Sequence, residues 1–497
     1  NVILVSDPHT PFDWPTNEFE VHMESPSFSV IGTSSPGFPG FWGSTNRYVA
    51  GAGTANHPDT YDSYLEEVDG DRYKYEGSWH PLREREEVFK TSDGIEIRST
   101  IQYTHHGPLL LKDGKRYISV RPVGNDKIHS VITAALKRMR AKSVDDIKES
   151  LGDLQMQTGN IVAGDVDGNI LYVYNMVQPI KDESLIWEKP VDGTKAKTEW
   201  SGYFGMDRIP HIKNPSSGWL QTTNDAPRFA TLPVDAVKVD FPDYTHANKE
   251  QQGLRGQRIV HLLDKDDSIT LEEMKGYAMD TYVQMAKYVV PGLLKALDGY
   301  TGTDQDVIDA REILQEWDYF ADKDSKGMTI FWYWWKEYGV IKGDPSSILL
   351  FTADEEKEMR SALERVVETM NDYYGTVEKK WGDIHVLDHR PSVGLSGGDR
   401  KWSLNGGLTT LLLRNTERFE EGIGYVSSGS SRVSIVELGD PIRVYSIMAS
   451  HNDRDSKYAE ASDIRYGNEE FKEIFFEKED VLTVVDKTVE LSYTGYE

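Results

Sequence analysis

The chain has 497 residues, 82 acidic against 55 basic, a formal net charge of −27 and no cysteine. That balance argues against nucleic acid and anionic membranes as partners, since both are held by cations on the protein. The missing cysteines exclude disulfides, a thiolate nucleophile and Cys-ligated zinc.

With 38% hydrophobic and 28% charged residues the composition is that of a globular chain. The length suggests roughly two to three lobes or one large layered domain. No apolar run is long enough to span a bilayer. The chain opens on Val2–Val5, which reads as the middle of a strand. With no initiating Met and no signal peptide, that start reads as a processed or truncated product. Short β-type runs follow at Phe28–Ile31, Val88–Thr91, Ile95–Tyr103 and Tyr117–Val120, parted by turn signals such as Asp69-Gly70, Asp93-Gly94 and Asp113-Gly114. Among them lies Val49–Asp62, whose small-residue run Ala50–Ala55 lets another group approach the backbone. N–H groups there can face a developing negative charge. Asp59 and Asp62 beyond it can meet at a hard cation. A buried strand running into a polar loop is the plainer reading of the same stretch.

Adjacent histidines on a strand point to opposite faces, so His105-His106 reads as a turn or strand end rather than a metal pair. Helices are predicted from about Ile132 to Arg140 and after Ser143, an N-cap candidate. Gly159–Val173 reads as a hairpin with its tip at Asp167-Gly168. An EF-hand is excluded there because Met176 stands where Glu is needed. From about residue 248 to 374 the spacing turns helical, at Gln252–Leu263, Leu271–Leu297, Asp304–Phe320 and Ala353–Tyr373. Pro291 is expected to break the second of these. Phe331–Trp335 reads as helix packing, with a sugar platform as the rival. Strands return at Leu408–Leu413, Val433–Leu438 and Val444–Ile447. Strands, helices and strands again predict an α+β chain, with residues 1–247 and 381–497 sharing a core and 248–380 forming an inserted helical lobe.

A Gly-x-Ser-x-Gly elbow, a Walker loop, a dinucleotide fingerprint and His-Glu-x-x-His are all missing. What remains is a set in order: Asp7-Pro8-His9, Gly53-Thr54-Ala55, Thr104-His105-His106-Gly107-Pro108, Gly164–Ile170, Thr223-Asn224-Asp225-Ala226-Pro227, Trp381–His385, Ser427–Ser431 and Ser450–Tyr458. On these residues the chain resembles the β subunit of the penicillin acylase family of N-terminal nucleophile hydrolases. Trp381-Gly382-Asp383 and the His9 position lean toward the acyl-homoserine lactone and lipopeptide acylase branch.

The resemblance implies a four-layer αββα core and an acylase that cleaves linear N-acyl amides. It assigns the oxyanion hole to the Ala55 N–H and the Asn224 carboxamide, a neutral donor that need not titrate. His9 would stand beside the nucleophile, and Arg255 would orient Asn224 or an α-amine. Asp59, the Tyr61 carbonyl, Asp62 and Asp235 match a structural calcium site of part of the family, a further ligand falling at the Trp187 carbonyl. The family's nucleophile is the first residue of the β chain, a Ser whose α-amine, with a pKa near ~8, is the base. Asn1 aligns a short stretch beyond that Ser, and Ser6 matches no nucleophile. The nucleophile is therefore expected outside the chain, with an α subunit from the same precursor as partner. Thr10 and Gly43 stand where phenylacetyl-specific members carry rings, which implies a wider, more polar acyl pocket. A periplasmic or extracellular setting is expected. The rivals are a catalytically silent binding or scaffold protein on the same fold and a carbohydrate-active enzyme.

Overall fold

Two antiparallel sheets lie face to face in the computed structural model, which describes residues 1–12, 18–38, 40–113, 116–124, 131–152, 158–247, 252–342, 352–389, 392–400, 407–449 and 458–489. The larger has seven strands, ordered β17 (His211–Lys213), β15 (Ile170–Met176), β14 (Thr158–Asp165), β6 (Val49–Thr54), β5 (Gly43–Asn46), β4 (Phe28–Ser34) and β3 (Phe19–Ser25). The smaller has four, β1 (Val2–Ser6), β21 (Arg432–Leu438), β22 (Arg443–Met448) and β23 (Lys472–Ile474). Strand alternation explains how β1 serves two cores. Val2 and Leu4 pack with Ile31, Ala50, Ala52 and Val436 between the sheets, whereas Val5 faces the other way, against Val433 and Ile447.

Helices cover both outer faces. On the larger sheet, α1 (Val131–Met139) and α2 (Val144–Ser150) lead into a core of Val144, Ile147 and Leu151 against Leu171 and Val173. Beyond the smaller sheet, Ala278 and Met279, at the end of α4 (Leu271–Ala278), and Tyr466 of α10 (Ala459–Gly467) pack against Val433 and Ile447. The order is therefore helices, sheet, sheet, helices. Ser143 caps α2 as expected, its hydroxyl accepting the Asp146 N–H at 3.2 Å while Asp146 accepts the Ser143 N–H at 3.1 Å. The hairpin of β14 and β15 also forms as expected. The small-residue run of β6 has a packing cause, since a Cβ on Gly53 would stand 2.6 Å from the Asn160 carbonyl of β14.

Three further sheets surround this sandwich. One runs β12 (Leu109–Asp113), β13 (Arg116–Pro122), β7 (Tyr61–Asp69), β8 (Arg72–Tyr75) and β9 (Ser78–Pro81), with β16 (Val191–Asp192) parallel to β7. Another joins β18 (His385–Leu387), β20 (Ile423–Ser430) and β19 (Arg414–Glu420), with β2 (His9–Pro11) on β20. The last is the hairpin of β10 (Arg83–Lys90) and β11 (Glu96–Tyr103).

The described residues between Leu254 and Ile384 are mostly helical: α3 (Leu254–Asp264), α4, α5 (Gln284–Leu297), α6 (Gln305–Glu316), α7 (Lys326–Lys342), α8 (Ala353–Tyr374) and α9 (Trp381–Ile384). The aromatic run lies on α7 with Phe331, Trp332, Trp334 and Trp335 buried among Leu293, Leu363 and Trp381, so it is a core and not a sugar platform. Two expectations are corrected. Pro291 lies inside α5, and the break falls at residues 279–283. Buried Val289, Val290 and Leu293 hold α5 through the proline, while the Asp280 carboxylate takes Arg258 and the Tyr282 N–H just ahead of it. Leu408–Leu413 forms no strand. Leu408, Leu412 and Leu413 are buried, but the Leu412 N–H goes to the Asp280 carbonyl and the Gly398 N–H to Thr410, leaving a single bridge of Leu413 to Gly398. The expected run Ser450–Tyr458 lies, except for Tyr458, outside the described residues. A last helix, α11, spans Lys478–Val484. Among the described residues no helix is long and apolar enough to cross a membrane.

Candidate active site

A cavity of about 1840 Å³ opens along β1 and is lined by that strand as far as Thr10, by Ala52–Ala55, by residues 214–225 and by Arg255. Opening strand, small-residue segment and Asn-bearing loop thus meet at one hollow. The loop is fixed from several sides. Thr222 Oγ1 lies 2.7 Å from Thr54 Oγ1, and the Gln221 N–H donates to the Ala230 carbonyl at 2.8 Å. Asp225 is buried, accepting the Gly253 N–H at 2.8 Å and the Thr223 hydroxyl at 2.9 Å, and its burial pushes its pKa up. Gly253 is the N-cap of α3, so Asp225 fastens the loop to the helix that carries Arg255.

Asn224 sits at the apex with φ of +72°, a left-handed conformation that Asn adopts more readily than most residues. Arg255 Nη2 donates to Asn224 Oδ1 at 2.7 Å and to the Thr223 carbonyl at 3.3 Å. A guanidinium has no acceptor, so this contact decides which end of the carboxamide is oxygen. Nδ2 then faces the Ala55 carbonyl at 2.8 Å. One amide hydrogen is used in that bond, and the second is left for another acceptor. Burial lowers the pKa of Arg255, opposed by the charges of Asp7 and Asp225.

His9 borders the same cavity, its Nε2 3.2 Å from Asp7 Oδ2, which also accepts the Ser430 hydroxyl at 3.0 Å. Thr10 is a cavity wall, with its hydroxyl on Ser431 at 2.8 Å. Gly43 is not a wall. It is buried in β5, and a Cβ there would stand 2.9 Å from Ser6 Oγ and 3.0 Å from Arg432 Nη2. Arg432, paired with Glu18 at 3.2 Å, fills the space in which a ring was expected to be missing. Ser6 is buried, 3.4 Å from the Arg432 guanidinium.

The expected calcium ligands do not fit the ion. Lys181 Nζ lies 2.6 Å from Asp59 Oδ2 and 2.9 Å from Asp62 Oδ1, and Trp200 donates its indole N–H to Asp62 Oδ2 at 2.6 Å. Asp235 pairs instead with Arg228 at 3.1 Å and is mostly exposed. Tyr61 begins β7 with its side chain exposed. The Trp187 ring lies beside the lysine, with Lys181 Nζ 4.9 Å from its centroid. Sequence reading passed over Lys181, whose only signal was a lysine closing the mostly apolar run Met176–Ile180.

His105 and His106 take the turn position expected of them. They lie in the turn after β11, and both reach Glu199, at 2.8 and 3.0 Å. His106 Nδ1 meets Glu66 Oε1 at 2.8 Å, an oxygen that also accepts from Thr104 at 2.8 Å and Ser119 at 2.7 Å. With a carboxylate at each ring nitrogen, His106 is held as an imidazolium. Burial pulls its pKa down, but the bonds to Glu199 and Glu66 outweigh that and raise it. Burial likewise works against Glu199, yet His105 and His106 bring its pKa well below the ordinary carboxylate range.

The penicillin amidase family model matches residues 1–483. A penicillin acylase 2 proenzyme of a Pseudomonas species is 26% identical over 337 residues, which are 66% of this chain and 41% of that protein. The acyl-homoserine lactone acylase PvdQ of Pseudomonas fluorescens is 22% identical over 494 residues, 88% of this chain and 61% of that protein. The solved thermostable penicillin G acylase from Alcaligenes faecalis is similar at a TM-score of 0.70 and 16% identity, over 100% of this chain and 97% of that chain. The chain thus spans less than two thirds of the length of these curated relatives.

Proposed function

The chain belongs to the penicillin amidase family and has its αββα N-terminal nucleophile hydrolase fold, and from that premise we propose that it is the larger part of an acylase that hydrolyses linear N-acyl amines. The observation that carries the reading is the Arg255–Asn224–Ala55 chain of hydrogen bonds at the edge of the β1 cavity. In this reading a Ser outside the chain, with its own α-amine as base, attacks the amide carbonyl and forms an acyl-enzyme. The free N–H of Asn224, with the backbone N–H of Ala55, meets the oxygen as it gains charge. Because Arg255 and the Ala55 carbonyl already fix the carboxamide, little reorganisation is needed when that charge appears. His9, held by Asp7, flanks the attacking group. Thr10 lines the acyl side of the cavity, which makes a polar or long acyl chain a better occupant than a phenyl ring. A smaller α chain from the same precursor completes the protein, in a periplasmic or extracellular setting.

The test is turnover of a panel of N-acyl amides by the full-length gene product and its Asn224→Ala variant. Loss of one oxyanion donor should lower kcat by at least ~100-fold, about 3 kcal/mol of barrier, with the circular dichroism spectrum unchanged. Near wild-type turnover in the variant would remove Asn224 from the reaction.

A further inference from the structure

We infer that the Lys181 ammonium is a built-in replacement for a divalent cation, so that the segment carrying Ala55 is stapled to the body of the protein without a metal. The side chains of Lys181 and Asp62 are each 1% exposed, and that of Asp59 is 13% exposed. The ammonium is shared between two carboxylates, and it also lies 4.9 Å from the Trp187 ring centroid and 5.2 Å from that of Tyr244. Two carboxylates and two aromatic faces form a cage for a compact monovalent cation, here filled by the chain itself.

The same surroundings are unsuited to calcium, which asks for six to eight oxygens at roughly 2.3–2.6 Å. An indole N–H on Asp62 Oδ2 is a donor and cannot face a cation. Three stretches are nevertheless joined as an ion would join them. Asp59 and Asp62 bring the turn after Ala55, and Lys181 brings the segment that follows Pro179. Tyr244, whose hydroxyl accepts the Lys181 N–H at 3.1 Å, brings the turn that receives the Asp59 N–H on the Thr245 carbonyl. This inference does not depend on the acylase reading, because its readout is stability and metal content.

The experiment is thermal unfolding of the full-length protein and its Lys181→Ala variant, each with EDTA and then with millimolar calcium chloride, alongside elemental analysis of the untreated wild type. The wild-type midpoint should be the same in both conditions, with calcium far below one ion per chain. Lys181→Ala, which leaves two facing carboxylates without their cation, should melt roughly 5 °C lower or more in EDTA and calcium alike. Stoichiometric calcium in the wild type, or a wild-type midpoint that falls on chelation, would overturn the inference. So would a Lys181→Ala midpoint equal to wild type. If Lys181→Ala does not fold, the wild-type metal content and chelation response still decide the question, and Lys181→Met in a chain also carrying Asp59→Asn supplies a variant with one buried charge fewer.

Discussion

Arg255 touches no reacting atom in the proposed reaction, yet it determines what Asn224 can do. Its bond to Oδ1 at 2.7 Å leaves the carboxamide one orientation, with nitrogen toward Ala55. Arg255→Leu frees that amide to turn over, so kcat should fall roughly 10- to 100-fold with little change in KM. Arg255→Lys should restore part of the loss. Steady-state kinetics on the three proteins checks this, and a merely structural arginine would show itself as a lower melting point with kcat intact. At this scale the sequence was readable where local order carries the chemistry. Asn224, Ala55, His9 and Thr10 meet at one cavity, Ala55 just past β6, Asn224 at the top of its loop, and His9 and Thr10 on β2 just after β1. Lys181 was not readable, since its partners lie 119 and 122 positions away and no local pattern announces a cross-chain ion pair. Gly43 was misread for a related reason. An absent side chain resembles an open pocket until Arg432 is seen to occupy the space.

The joint between the 221–227 loop and α3 is the element on which the site rests. Gly256, in the first turn of α3, is packed so closely that a Cβ there would overlap Asp225 Oδ2 and approach Thr223 Oγ1 at 3.0 Å. Gly256→Ala should therefore cost about 1–3 kcal/mol of stability, although alanine is the better helix former by nearly 1 kcal/mol. Denaturant unfolding measures the sign, and a stabilised variant would show that the joint can give way. Elements set by their own residues, such as the β14–β15 hairpin and the capped α2, were legible in advance. Those decided by neighbours were not. Proline inside α5 is tolerated because three buried apolar residues hold the helix, and Leu408–Leu413 lacks a ladder because other loops take its backbone groups.

At the scale of the whole molecule, the imidazolium of His106 ties the turn after β11 to Glu66 on β7 and to the loop that carries Glu199, in the sheet beside the sandwich. The two shifts define a pH window. His106 is raised above its ordinary 6.5, so its contribution is complete below that value and is lost as pH rises through the raised one. Glu199 is lowered from 4.5, so its contribution is complete above that value and is lost as pH falls through the lowered one. The melting temperature should therefore be highest between about 4.5 and 6.5 as far as this cluster is concerned, declining on the alkaline side. His106→Gln should cost roughly 3 kcal/mol or more within the window, by leaving the buried Glu66 carboxylate short of a cation, and should flatten the alkaline limb. Melting curves from pH 4 to about 9 for both proteins test this.

The helical lobe has one more consequence, which concerns how the protein can be watched. Trp317, Trp332, Trp334, Trp335 and Trp381 are gathered in its core, whereas Trp42 and Trp79 on the strand-rich part face solvent. Indole emission during unfolding is therefore weighted toward that lobe, with Trp187, Trp200 and Trp219 reporting from the strand-rich part. A red shift from the lobe's five marks water reaching α7, while Trp219 is an indole that lines the cavity along β1.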